Sequence, residues 1–198
     1  MENFTTLIEN RRSISQLKKS EHIDQDELIW HIKQAIKHSP SAFNAQSVSA
    51  VVLLNEKHTM LWDAVLDRIL PFVVADKQQA SIDKIAGFKN GDGTIIFLED
   101  TSIGDELRTK FPLYQDNVTL WADQGQGVAQ YGVWLMLTEM GLSASLQHYN
   151  PLIDDYIYEH LNVDKKYKIT AQMPFGKADQ MPTNKKMKDI NQRVFVER

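Results

Sequence analysis

The chain has 198 residues, 42% of them hydrophobic, and carries 22 lysines and arginines against 26 aspartates and glutamates for a formal charge of -4. That is enough apolar material for one sizeable core, and the mildly acidic balance, with no basic stripe along any predicted helix, excludes a nucleic-acid footprint. With 0 cysteines, disulfides, a thiolate nucleophile and cysteine-ligated zinc or iron–sulfur clusters are excluded too, so redox chemistry would need a borrowed cofactor and a reducing cytoplasm is the expected setting.

Phe4, Leu7 and Ile8 share a helical face that ends at Asn10-Arg11-Arg12-Ser13, read as the loop after a short helix. Met1 to Ser20 is polar with four cations, and the longest apolar runs, such as Val48 to Leu54, fall far short of the ~20 residues a bilayer requires. Neither a membrane span nor a signal peptide is expected. Asp24 is the expected N-cap of the next helix and Glu27 completes a capping box; Leu28, Ile32, Ala35 and Ile36 recur at helical spacing until Pro40 stops the element. Val48 to Leu54 reads as a buried strand, and Thr94 to Leu98 as a second after the turn signal Asn90-Gly91-Asp92-Gly93, with helices from about Glu56 between them.

A long helix is expected from Asp116 to Met140, with Gly141 at its C-cap. Gly125, Gly127 and Gly132 inside it each cost about 1 kcal/mol relative to alanine, which predicts close approach of another backbone or a ring. A short strand at Ser143 to Leu146, a helix from about Leu152 to Leu161 and a last core strand from Tyr167 to Phe175 follow. The lysine-rich tail ends in Arg193-Val194-Phe195-Val196, a strand-like piece with nothing local to pair against, expected to reach a partner subunit. Strands interleaved with helices indicate α+β or α/β, and no repeat or linker divides the chain, so 1–198 is expected to be a single domain.

Three sets of polar side chains remain: Arg11-Arg12-Ser13, the loop Ser39-Pro40-Ser41-Ala42-Phe43-Asn44-Ala45-Gln46, and Lys185, Lys186 and Lys188. Cations for a phosphate, with hydroxyls and amides for a polyol chain and a ring edge, are what a phosphorylated flavin needs. Each set also has a plainer reading, as a charged helix end, ordinary turn formers or solvated lysines. Gly125-Gln126-Gly127 is not a dinucleotide fingerprint, because Gln130 takes the third glycine's place and no strand precedes it. His31 and His38 read as surface, and no histidine or carboxylate pair stands at a metal spacing, so no metal is expected.

The order and spacing of these motifs resemble the nitroreductase family, in particular its short branch related to fatty-acid-repression mutant proteins, whose Leu-Gln-His-Tyr-Asn-Pro string is here Leu146 to Pro151. The resemblance runs from Asn10 through Val194. It implies an α+β, three-layer sandwich with a central, mostly antiparallel sheet flanked by helices, and a C-terminal strand exchanged in a homodimer whose interface includes the long glycine-containing helix. It further implies two FMN molecules at that interface, each lined by both chains.

Residue by residue, the resemblance assigns Arg11 and Ser13 to the flavin through the pattern Arg-x-Ser, with Arg12 as a second cation. Pro40, Ser41, Asn44 and Gln46 match Pro-Ser-x-x-Asn-x-Gln, although Ser47 stands where the family usually has proline. Gln147 and His148 fall near the reactive ring face, where larger relatives have an acidic residue and glycine. Lys186 and Lys188 fit the C-terminal basic pair, with Lys185 beside them, and which lysine takes the phosphate stays open. Lys84 or Lys89 supplies a basic residue near the pyrimidine edge. The implied activity is NAD(P)H-driven, ping-pong reduction of nitroaromatic or quinone-type acceptors with no catalytic side chain, since the flavin carries the chemistry. Two other readings are a flavin-binding regulatory or redox sensor linked to lipid metabolism or stress, and a cofactor-free binding module.

Overall fold

A computed structural model describes residues 3–183 and 185–198. Its centre is an antiparallel ladder between Val48–Leu54 (β2) and Gly93–Asp100 (β3), with Tyr167–Ala178 (β5) on the far side of β3. Two short strands, Leu17–Lys18 (β1) and Ser143–Ala144 (β4), both pair with the last residues of β5. The tight turn into β3 needs its glycines: a Cβ at Gly91 or Gly93 would stand 2.5 or 2.6 Å from the carbonyl oxygen of Phe175 or Leu53.

Alternation along β3 explains the layers. Ile96 and Leu98 point into a core built with Asn55–Ile69 (α3), Gln78–Lys89 (α4) and Asp154–His160 (α7), through Trp62, Phe88 and Ile157 among others. Ile95 and Phe97 point to the opposite face, where Gln25–Lys37 (α2) and Val118–Glu139 (α6) contribute Leu28, Ile32, Val133, Trp134 and Leu137. The result is helices, sheet, helices, the three-layer α+β arrangement that the resemblance implies. On β5 the register slips between the partners of Phe97 and Leu98, so Ile169 joins the first core while Ala171, Met173 and Phe175 join the second. Thr170, left over at the bulge, donates its hydroxyl to the Phe97 carbonyl or the Gln126 amide oxygen, at 3.1 and 2.9 Å.

The expected Asp24 cap forms, but the returning Glu27 bond of the capping box does not appear among the described residues. Asp24 accepts from the backbone N–H of Asp26 and Glu27 at 2.9 and 3.1 Å, while the Glu27 carboxylate lies 3.7 Å from His31 Nε2. His31 departs from its surface reading: its ring is half-buried, with Nδ1 enclosed, because α2 packs on α6. His38 is exposed as expected. Gly141, at φ 71°, ends α6 where a left-handed residue is required. Phe4–Asn10 (α1) lies against α6, and Thr101–Lys110 (α5), which the sequence reading passed over, starts with Asp100 accepting from Ser102 N–H at 3.1 Å.

Beneath β3, Trp62 Nε1–H donates to Thr94 Oγ1 at 2.8 Å, leaving the threonine proton for His58 Nδ1, also at 2.8 Å. Nε2 then carries the imidazole proton and donates to the Lys89 carbonyl at 3.2 Å. His58 is 2% exposed and satisfied as the neutral ring. No helix among the described residues is long and apolar enough to cross a membrane. The expected terminal strand is not formed within the described chain: residues 194–198 are irregular, and Phe195 is 82% exposed.

Candidate functional site

Helix α6 is the rail on which two of the three polar sets are mounted. At its C-terminal half, the guanidinium carbon of Arg11, the residue that closes α1, sits 4.5 Å from the centre of the Trp134 ring. Nearer its N-terminus, a Cβ built on Gly125 would lie 3.8 Å from Ser41 Cβ, and one built on Gly132, two residues before Trp134, would lie 3.6 Å from Ser39 Oγ. Nine residues separate Gly125 from Trp134, about 13 Å of helix. The glycines thus meet the 39–46 loop at ordinary contact distance, and nothing among the described residues lies within 4 Å of a Cβ at Gly127. The tight approach expected at these positions is not made by this chain's own described neighbours.

The loop itself is closed by its side chains. Ser39 Oγ donates to the Ala35 carbonyl at 2.7 Å, and Ser41 Oγ accepts from Gln46 N–H at 3.0 Å. Phe43, Asn44 and Gln46 all adopt left-handed backbone, with φ of 53°, 53° and 54°. The Asn44 and Gln46 side chains are exposed, and Gln46 Nε2 reaches the Asn44 carbonyl at 3.4 Å. Ser39, Pro40, Ser41, Gln46 and Gly125 line a cleft of about 120 Å³.

The two ends of the chain meet. Arg12 Nη2 donates to the Thr183 carbonyl at 3.0 Å across 171 positions, and Asp179 N–H donates to the Gln16 carbonyl at 2.9 Å. Ser13 bridges to Ala144 on β4. Lys185, Lys186 and Lys188 follow Thr183 within five residues and are exposed. Among the described residues, no ion pair neutralises Arg11, Arg12 or these three lysines. Five cations contributed by opposite ends of the sequence therefore stand uncompensated, an arrangement suited to an anion.

Gln147 and His148 follow β4. Gln147 exchanges both backbone bonds with Gln172, at 2.7 and 2.9 Å, and its Nε2 donates to Ser145 Oγ at 2.8 Å; His148 is exposed. No hydrogen bond or ring contact among the described residues joins either to the Arg11 or Ser41 groups. Lys89 and Lys84 sit on α4, across the sheet from α6. Lys89 Nζ is 2.6 Å from Asp63, and Lys84 Nζ is 5.6 Å from the Phe88 ring centre. Helix α4 nevertheless packs on the segment that follows Ser13: Gln16 Nε2 donates to the Asp83 carbonyl at 3.5 Å and a Cβ at Gly87 would meet the Ser15 carbonyl oxygen, although no contact among the described residues joins either lysine to the Arg11 or Ser41 sets.

Sequence reasoning missed what holds the Gln147 segment. Gln172, fully buried, accepts from Tyr149 N–H at 2.9 Å and donates to Asn150 Oδ1 at 3.0 Å; Asn150 Nδ2 in turn donates to Asp154 and to the Ile169 carbonyl at 2.7 and 3.0 Å. Burial pushes the Asp154 carboxyl up, against the opposing Asn150 bond. The string Leu146 to Pro151 was the available signal, since its asparagine spends three bonds on this network. Replacing Gln172 with leucine orphans the Tyr149 donor and the Asn150 acceptor, and is expected to cost about 2 kcal/mol in urea unfolding. Gln46→Leu, at an exposed position, is expected to change stability little.

Gln126, from the rejected dinucleotide pattern, lies mid-helix and buried, donating to the Leu98 carbonyl and Glu99, both at 2.9 Å. Its role is to bond α6 to β3.

Comparison with known proteins places this geometry. The nitroreductase family profile matches residues 8–177. The nitroreductase FRM2 of Saccharomyces cerevisiae is 30% identical over 187 residues, covering 92% of each chain. The nitroreductase CinD of Lactococcus lactis, solved with chloramphenicol, with 4-nitrophenol and with nicotinic acid, is 35% identical, with TM-scores of 0.86 to 0.87 over 99% of this chain and 100% of its own. A nitroreductase with bound FMN from Desulfitobacterium hafniense shares the fold at a TM-score of 0.72, with 19% identity and all of both chains covered. Matched along most of its length by profile, sequence and fold, the chain belongs to the nitroreductase family.

Proposed function

We propose that this nitroreductase-family oxidoreductase is an FMN-dependent, NAD(P)H-driven reductase of nitroaromatic or quinone-type acceptors, acting in the cytoplasm as a homodimer. The observation that carries this reading is the hydrogen bond from Arg12 to the Thr183 carbonyl, which brings the Arg11-Arg12 segment to the stretch leading into Lys185, Lys186 and Lys188, none of these cations being ion-paired among the described residues. The donor set fits the cofactor: Arg11, Arg12 and the 185–188 lysines would hold the phosphate, Ser13 and Ser41 the ribityl hydroxyls, and Asn44, Gln46 and Gln147 the polar ring edge. His148 would stand near the reactive face. The FMN-bound relative of the same fold and the nitro compounds bound by CinD favour the same reading.

When bound, FMN supplies the two-electron carrier between the nicotinamide and the acceptor. This chain's residues position and tune. Arg11, stacked on Trp134, is pre-ordered for an anion. The cleft at Ser41, about 120 Å³, is below the ~300–1,000 Å³ of usual ligand sites, and in this reading a second chain completes it. The unpaired 194–196 segment and the exposed side of α6 at Gly127 are the surfaces for that partner.

Steady-state assays with NADH or NADPH and varied 4-nitrophenol or naphthoquinone test the activity. Saturable dependence on the acceptor, with parallel double-reciprocal lines, is expected. Turnover no faster with acceptor than with oxygen alone would instead indicate a sensor and overturn the enzymatic reading.

A further inference from the structure

Phe43 is an unusual residue in this loop. A phenylalanine rarely adopts φ 53°, ψ 22°, because its Cβ crowds the backbone there, and the following Asn44 is left-handed as well. Such strain persists only where the surroundings hold it. Here the closure of the loop through Ser41 Oγ does so, together with three rings: Phe111, stacked on Phe43 at 4.5 Å and 21°, Trp121 at 5.4 Å, and Tyr114 at 6.2 Å. Tyr114 and Trp121 also touch, at 5.9 Å. Even so, 51% of Phe43 faces solvent. A core role would bury the ring; the loop instead pushes it outward, braced from behind, between Ser41 and Asn44.

We propose that Phe43 is a specificity-determining residue whose exposed ring stacks against planar, electron-poor aromatic acceptors, with Phe111, Tyr114 and Trp121 as its rigid backing. This rests on the reading of the 39–46 loop as part of a flavin site. The occupant follows from the chemistry: an electron-rich phenyl face, fixed beside polar groups assigned to the cofactor, attracts a ring whose own quadrupole is reversed by nitro or quinone oxygens. A pre-braced ring also loses little freedom on binding.

The test uses the FMN-loaded protein and three variants. Phe43→Leu keeps apolar bulk and the same backbone demand, Phe43→Tyr keeps the ring, and Phe43→Gly removes both ring and strain. Calorimetric titration with 4-nitrophenol is expected to show about 2- to 12-fold weaker binding for Leu and Gly and near-native binding for Tyr, in line with the worth of one aromatic stack. KM for 4-nitrophenol should follow, while turnover with ferricyanide, which needs no stacking, stays unchanged. The melting temperature should hold or rise in Phe43→Gly, whereas a packing role would lower it. Unchanged 4-nitrophenol affinity in Phe43→Leu, or a loss of dimer on gel filtration in its place, overturns the assignment to acceptor binding. Flavin content separates the two layers of argument: a wild type that takes up no FMN removes the site reading itself, whereas full FMN with unaltered affinity removes only Phe43.

Discussion

Alanine at Arg11, Lys186 and Lys188 together is expected to yield a folded protein that purifies with little or no flavin, its FMN affinity weakened at least ~100-fold. Charge-assisted bonds to a phosphate are worth roughly 1.5–3 kcal/mol each, and every 1.4 kcal/mol is a factor of ten. Arg11 should dominate, because Trp134 already fixes it at 4.5 Å, whereas the lysines sit on an exposed strand of chain and must be ordered on binding. None of the three side chains contributes to either core, so thermal stability without cofactor should stay near native. Flavin occupancy equal to wild type in the triple variant would refute the phosphate assignment.

Stability is expected to fall by about 3 kcal/mol as pH drops from 6.5 to 4, through one residue. Burial holds the His58 pKa down at about 4 against an ordinary 6.5, with Lys19 pushing the same way and the Lys89 carbonyl and Asp92 opposing. Above pH 6.5 the ring is neutral folded and unfolded, and the full stability is present. Between 6.5 and 4 only the unfolded chain takes up the proton, so the folded state loses about 1.4 kcal/mol per pH unit; below 4 the difference is constant. Urea unfolding of wild type and His58→Gln across this range isolates the effect. Other groups titrate in both proteins, so the wild type should show the steeper decline. Parallel curves would contradict the neutral, doubly bonded ring between Thr94 and Lys89.

The layers were legible because their signals are local. The Asp24 cap, the run from Val48 to Leu54, the Asn90-Gly91 turn and Gly141 each state their own backbone requirement, and the elements formed where those residues stand. What stayed hidden was set by tertiary contact. β1 has two residues and exists only because the end of β5 offers it a partner, and α5 has an apolar face too thin to advertise itself. In the candidate site, the charged and turn-forming residues could be named from the chain, but Trp134 beneath Arg11, Thr183 under Arg12 and Gln172 behind Gln147 could not, since each lies far away in sequence.

Comparison of FMN with riboflavin, which differs by the phosphate alone, tests the central claim most directly. Fluorescence titration of the flavin-free protein is expected to give FMN at least ~100-fold tighter binding than riboflavin, a gap that narrows with added salt and closes in the Arg11, Lys186, Lys188 triple variant. Equal affinity for the two flavins, or uptake of neither, would show that the cations gathered from the two ends of the chain do not hold a phosphate.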